Sequence, residues 1–220
     1  NWMRPALCEE ALRLGRMLAT LAPREPEVHG LIALMEFQAS RLAARIDADG
    51  TPILLTDQDR GRWDQLLIRR GLAALKRAQS LDGAGSYVLQ AAIAACHAQA
   101  PRAEDTDWAR IAALYAQLGA ITGSPVVELN RAVAVSMADG PQAALELVDK
   151  LRGERALSAY HLLPSVRGDL LLRLGRRAEA RVEFERAAAL ADNEREAGLL
   201  HQRAVECDYG RNHDVHAADH

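Results

Sequence analysis

The sequence predicts an all-α protein made of antiparallel helix hairpins stacked into a solenoid. Three observations predict it. Hydrophobic residues are 49% of the chain but aromatics only 4%, and abundant Ala, Leu and Arg favour close-packed helices over sheets. Apolar residues recur at three- and four-residue steps, in segments separated by Pro- and Gly-bearing breaks. Two of these segments also resemble each other at a fixed offset, which is the signature of a repeat architecture.

Taken in order, Leu7, Ala11, Leu14 and Leu18 place an apolar stripe on a helix over 5–21, ended by Pro23 and Pro26. A second helix is expected over 27–46, burying Val28, Leu31, Ile32, Leu34, Met35 and Leu42, with Asp47, Ala48, Asp49 and Gly50 closing it. The two make an αα-hairpin. The apolar, proline-bearing run 51–55 reads as an extended connector. Thr56 with Asp59 three residues on has the form of a capping box, and Asp57 adds negative charge to that first turn, so a helix should run from there to about Gln79.

Residues 87–100 are apolar almost all round and read as a central buried helix. Thr106 or Asp105 would cap a helix over 107–118, and Ser124 followed by Pro125 opens another, with 126–137 apolar except at Asn130 and Arg131. Asp139, Gly140 and Pro141 break the chain before a helix over 143–151. Gly175 separates a helix ending near Leu174 from one over 177–190, and a last helix runs from Glu194 to about Cys207.

Ala132, Val135, Ala144, Val148 and Leu151 align with Gly168, Leu171, Ala180, Phe184 and Ala187, each pair 36 positions apart. Small residues recur where helices must approach closely. The second copy fits the tetratricopeptide pattern, whose period is about 34 residues, so the fold expected is a tetratricopeptide-like right-handed α-solenoid. Such stacks mainly serve as concave protein-binding surfaces; the alternative is that the repeat only props up the domain. Residues 1–208 read as a single all-helical domain with parts 5–121 and 124–208, followed by a polar tail over 209–220.

Composition narrows the function. A formal charge of -3 and a pI near 6.2 argue against a surface built for a phosphate backbone, which carries a basic stripe. Cys8, Cys96 and Cys207 are far apart and form no CxxC, which fits a reducing, cytoplasmic location better than a disulfide framework. No apolar run approaches the roughly 18 residues of a membrane span, and no export signal opens the chain. Position one is Asn1, not Met, so a piece of something longer is expected.

Little in the sequence suggests chemistry. There is no P-loop, GxGxxG, GxSxG or Cys/His signature, and the isolated His29, His97, His161 and His201 have poor metal spacing. No catalytic residue, metal or cofactor is expected. On a helix Asp57 and Asp59 would project about 200° apart, too divergent for a catalytic pair. Arg60 and Asp64, at i and i+4, suit a surface ion pair, and Trp63 is either a core anchor or an interface hot spot. Asp107 and Trp108 form a helix start that could also be a recognition patch. A buried Asn130–Arg131 pair would need partners, whereas an exposed one could line a groove.

Several ordered motifs go beyond generic helix patterning. They are the run from Leu54 to Asp64 (LLTDQDRGRWD), the run from Gln90 to Ala98 (QAAIAACHA), Asp105-Thr106-Asp107-Trp108, the run from Ser124 to Val135 (SPVVELNRAVAV), and Arg173-Leu174-Gly175-Arg176 with Glu179-Ala180. Together they resemble the C-terminal extension of one group of bacterial extracytoplasmic-function (ECF) sigma factors, over nearly the whole chain. The resemblance implies that 5–121 is a family-specific helical part and that 124–208 is tetratricopeptide-like. It further implies that sigma regions binding RNA polymerase and promoter DNA belong to the same full-length protein, so that DNA is contacted only through regions not in this chain. On that footing Asp57, Gln58, Asp59, Arg60 and Trp63, with Asp107, Trp108, Asn130 and Arg131, are the candidate protein-interaction residues, and sigma regions and core RNA polymerase the expected partners. Two other readings stand beside it: a generic α-solenoid adaptor for another protein or a small ligand, and an enzyme using Asp57, Asp59 or His97.

Overall fold

The computed structural model describes residues 5–47 and 50–209. Positions 1–4, Ala48, Asp49 and the expected polar tail beyond Tyr209 lie outside them. The described residues form ten α-helices joined by short turns and 3-10 segments, and no strand; the nearest approach to a sheet is an isolated antiparallel bridge between Ile46 and Pro52. None of these helices is long and apolar enough to cross a membrane. The chain divides into two compact units, Asn1–Thr122 and Gly123–His220.

In the first unit α1 (Pro5–Leu21) packs on α2 (Pro26–Ser40), which also contacts α3 (Gln65–Gln79) and α4 (Ser86–Gln99); α5 (Trp108–Thr122) packs on α4. Helix α2 starts with Pro26 in its first turn and Glu25 as N-cap, a proline position that loses no helical hydrogen bond. Its Glu27 carboxylate receives the amides of Tyr87 (2.9 Å) and Val88 (3.2 Å) at the start of α4, supplying the negative charge that a helix N-terminus favours. The core gathers Phe37, Trp63, Ile68, Leu75 and Val88 with the small residues Ala33, Ala91 and Ala95.

Several expectations fail in this unit. The stripe of Leu7, Leu14 and Leu18 on α1 is exposed, and Leu12 and Gly15 are buried instead. Helix α1 packs chiefly on α2 and does so through its small-residue face: a Cβ on Gly15 would lie 3.4 Å from Ile32. Periodicity identified an apolar face but could not say which of two such faces would find a partner. Second, no α-helix begins at Thr56. Two 3-10 turns (Leu55–Asp57 and Arg60–Arg62) precede α3, whose N-cap is Asp64, accepting from the amides of Leu66 (2.8 Å) and Leu67 (3.1 Å). Gly61 disfavours a helix across this stretch, and the Asp64 amide donates to Ser40 O at 2.9 Å, fixing the connector to the end of α2. Asp59 caps only the short turn, through Gly61 N at 2.9 Å. Helix α2 also ends earlier than expected, at Ser40, and a 3-10 turn covers Leu42–Ala44.

In the second unit α6 (Pro125–Ala138), α7 (Pro141–Leu151), α8 (Leu162–Arg173), α9 (Arg177–Leu190) and α10 (Glu194–Tyr209) each pack on the next, in a solenoid-like succession. The 36-residue offset carries Pro141 at the start of α7 onto Arg177 at the start of α9. All ten residues of the sequence alignment are buried, so the repeat is one of packing positions. Helix α8 ends in a Schellman motif: Gly175, at φ 74°, donates to Leu172 O (3.0 Å) and Arg176 to Leu171 O (2.9 Å), a conformation that glycine adopts without a Cβ penalty. Inside the unit Arg167 bridges Asp149 and Glu183, both at 2.8 Å.

Candidate protein-interaction site

The connector between α2 and α3 does not present its charged run as one face. Asp57 and Asp59 are exposed, Gln58 is buried with its amide donating to Ile53 O (3.1 Å), and Trp63 lies in the core at 3% exposure. Of the two roles open to Trp63, packing is the one observed. Arg60 makes no ion pair with Asp64. It turns to the end of α4, where Nη1 donates to His97 O (2.5 Å) and Ala100 O (2.8 Å) and Nη2 to Thr106 Oγ1 (3.1 Å). A cation there meets the unsatisfied carbonyls of a helix C-terminus.

Around Trp63 the structure assembles groups that sequence spacing did not connect. The Arg60 guanidinium stands 5.0 Å from the Trp63 ring centroid and that of Arg41 stands 5.8 Å away, both within cation–π range. Arg41 and Arg45 share one acceptor, Gln38 Oε1, at 2.5 Å each. Burial, and then the charges of Arg45 and Arg60, pull the Arg41 guanidinium down to about 10. Burial lowers Arg60 as well, against the opposing pull of Asp105 and Glu104. His97 drops to about 4 through burial, with Arg60 and Arg41 adding to the effect; its ring meets Trp108 edge to face at 5.2 Å. Arg41 and Arg45 are the members of this cluster that sequence reading missed as sites, while His97 was considered only for an enzyme. The only signal for Arg41 and Arg45 was their four-residue spacing near the end of the helix expected over 27–46, where basic side chains commonly cap carbonyls.

Residues 1–79 match a family of unknown function, DUF6596. The matched stretch ends with the last residue of α3 and contains Arg41, Arg45, Arg60 and Trp63. An uncharacterized protein of Rhizobium meliloti (strain 1021) is 52% identical over 194 residues, covering 88% of this chain and 45% of that protein. The chain therefore spans less than half the length of this curated relative.

Of the remaining candidate residues Trp108 reaches the cluster around Trp63, through His97, and the others fall elsewhere. Asp107, exposed, caps α5 by accepting from Arg110 N at 2.9 Å, a role the sequence reading gave to Thr106 or Asp105; Trp108 is half-buried. In the second unit Asn130 is exposed while Arg131 pairs with Glu128 at 2.9 Å. Asn130 shares a helical face with Val133 and Met137, which line a groove of about 330 Å³ together with Ser136, Asp169, Arg173 and Arg203. Arg203 is paired with Asp169 there, and Arg173 donates to Ser136 Oγ.

Proposed function

We propose that this chain is the non-catalytic regulatory domain of an ECF sigma factor, which supports or controls transcription initiation in the bacterial cytoplasm by contacting sigma regions of the same protein or core RNA polymerase. The reading is carried by the ordered motifs from Leu54-Leu55-Thr56-Asp57-Gln58-Asp59-Arg60 to Arg173-Leu174-Gly175-Arg176, whose likeness to the extension of that sigma group is too long for helix periodicity alone to produce. The length of the Rhizobium relative agrees with it: more than half of that protein lies outside the matched stretch, which leaves room for sigma regions.

The experiment is direct binding of this chain to purified sigma regions and, separately, to core RNA polymerase. Saturable binding to either is the expected result. Absence of both would sink the reading and favour a second one, an adaptor for another protein or a small ligand. That alternative draws on the groove beside Asn130, whose apolar floor and flanking polar side chains are the usual make-up of a ligand cleft.

A further inference from the structure

We propose that Arg41, Arg45 and Arg60, gathered around Trp63, form a docking site for an acidic segment of a partner protein, whose carboxylates meet the guanidiniums while a neighbouring apolar side chain enters the groove between α1 and α2. This rests on the reading of the chain as an interaction domain and adds the chemistry of the partner.

The observation behind it is an imbalance of charge. Arg41, Arg45 and Arg60 make no ion pair among the described residues, although two of them lie within 6 Å of one indole ring and two share one amide oxygen. Their hydrogen bonds go to neutral oxygens: Gln38 Oε1, Gln38 O, His97 O, Ala100 O and Thr106 Oγ1. The carboxylates that act on Arg60 from a distance, Asp105 and Glu104, are held by Arg102 at 2.9 and 3.4 Å. The buried arginine of the second unit is treated differently: Arg167 has both Asp149 and Glu183 as counter-charges. Like charges grouped at low exposure without a counter-charge raise the free energy of the folded chain. Capping of α4 accounts for Arg60 but not for Arg41 and Arg45.

What answers the imbalance is a carboxylate, since the planar guanidinium binds one in bidentate fashion. The surroundings favour a protein as its bearer. An apolar groove of about 200 Å³, floored by Ala11, Leu12, Met35 and Leu42, runs up to Gln38 and Arg45. A cationic end on an apolar trough fits an amphipathic acidic segment, and Arg is a residue type enriched at interface hot spots. A free inorganic anion would make no use of the trough.

The test uses the full chain with Trp2→Phe and Trp108→Phe, which leaves Trp63 as the sole indole reporter beneath Arg41. Titration with an oligoglutamate peptide carrying interspersed leucines is expected to give a saturable fluorescence change. Affinity should fall by about tenfold or more in Arg41→Gln/Arg45→Gln. It should hold in Arg69→Gln/Arg70→Gln, which removes equal charge from exposed positions on α3. Circular dichroism checks folding, and Arg45→Gln alone replaces the double variant if that loses helicity. No saturable response, undiminished binding by the arginine variant, or saturation by inorganic phosphate but not by the peptide would each overturn the proposal. Peptide binding that depends on the arginines, with no affinity for sigma regions or polymerase, would keep this site and overturn the sigma reading. Sigma-region binding that survives Arg41→Gln/Arg45→Gln would do the reverse.

Discussion

Phe184 is seated on the bare backbone of Gly168: a Cβ there would come within 2.8 Å of Cε1 and 2.9 Å of Cδ1 of the ring. Phe37 and Gly71 in the first unit repeat the relationship at 2.8 and 2.9 Å. These are the two phenylalanines of the chain, so the large rings are reserved for places where one helix offers no side chain. Gly168→Ala should therefore destabilise by about 1–2 kcal/mol, overpacking outweighing the helix propensity gained. Urea unfolding measures it, and a stabilised variant would contradict the packing argument.

Arg167 is held between Asp149 and Glu183, and Glu183 is almost wholly buried. Arg167→Met should cost about 3–5 kcal/mol, because it leaves a buried carboxylate without its counter-charge. Adding Glu183→Leu should recover much of that loss. A double-mutant cycle in denaturant reads the coupling; additive effects would mean the three groups do not act as a unit.

The start of α3 gives a sharper comparison. Asp64→Ala should lower stability by about 1 kcal/mol through loss of the N-cap, whereas Thr56→Ala should stay within about 0.5 kcal/mol, as an exposed surface change. Equal losses in the two variants would restore the capping box that the sequence suggests.

His97 predicts a dependence on pH. Its folded value of about 4 lies below the roughly 6.5 of an unfolded histidine, so between the two the unfolded chain binds more protons. The contribution is full above about pH 6.5 and is lost as pH falls towards 4, by less than about 1.4 kcal/mol per unit because solvent screens the half-buried ring. Urea midpoints measured at neutral pH and at about pH 5 should fall more for the native chain than for His97→Gln. Parallel slopes would show that His97 does not carry the dependence.

These contrasts also show what the sequence could convey. Some helix boundaries set by backbone chemistry were legible: Pro125 opens α6 and Gly175 ends α8 as expected, whereas Pro141, expected to break the chain, is itself the first residue of α7. The 36-residue repeat was legible because both copies obey the same packing limits. The start of α3 was not, because Asp57, Asp59 and Asp64 are all competent caps. Choosing among them takes the burial of Trp63 and the bond from Asp64 N to Ser40 O, both tertiary. The exposed stripe of α1 failed for a related reason, since a face is buried only where a neighbour exists. The candidate site was half legible. Arg60 and Trp63 stood out as a motif, but Arg41, Arg45 and His97 join them only through the meeting of α2, the connector and α4, which no local spacing encodes.

The acceptors of Arg60 lie 37, 40 and 46 positions further along the chain. The Arg60 side chain therefore fastens the connector ahead of α3 to the last carbonyls of α4, a second anchor beside the bond from Asp64 N to the end of α2. Amide exchange around residues 58–63 should then follow the opening of α4 more closely than that of α3, the helix it adjoins in sequence.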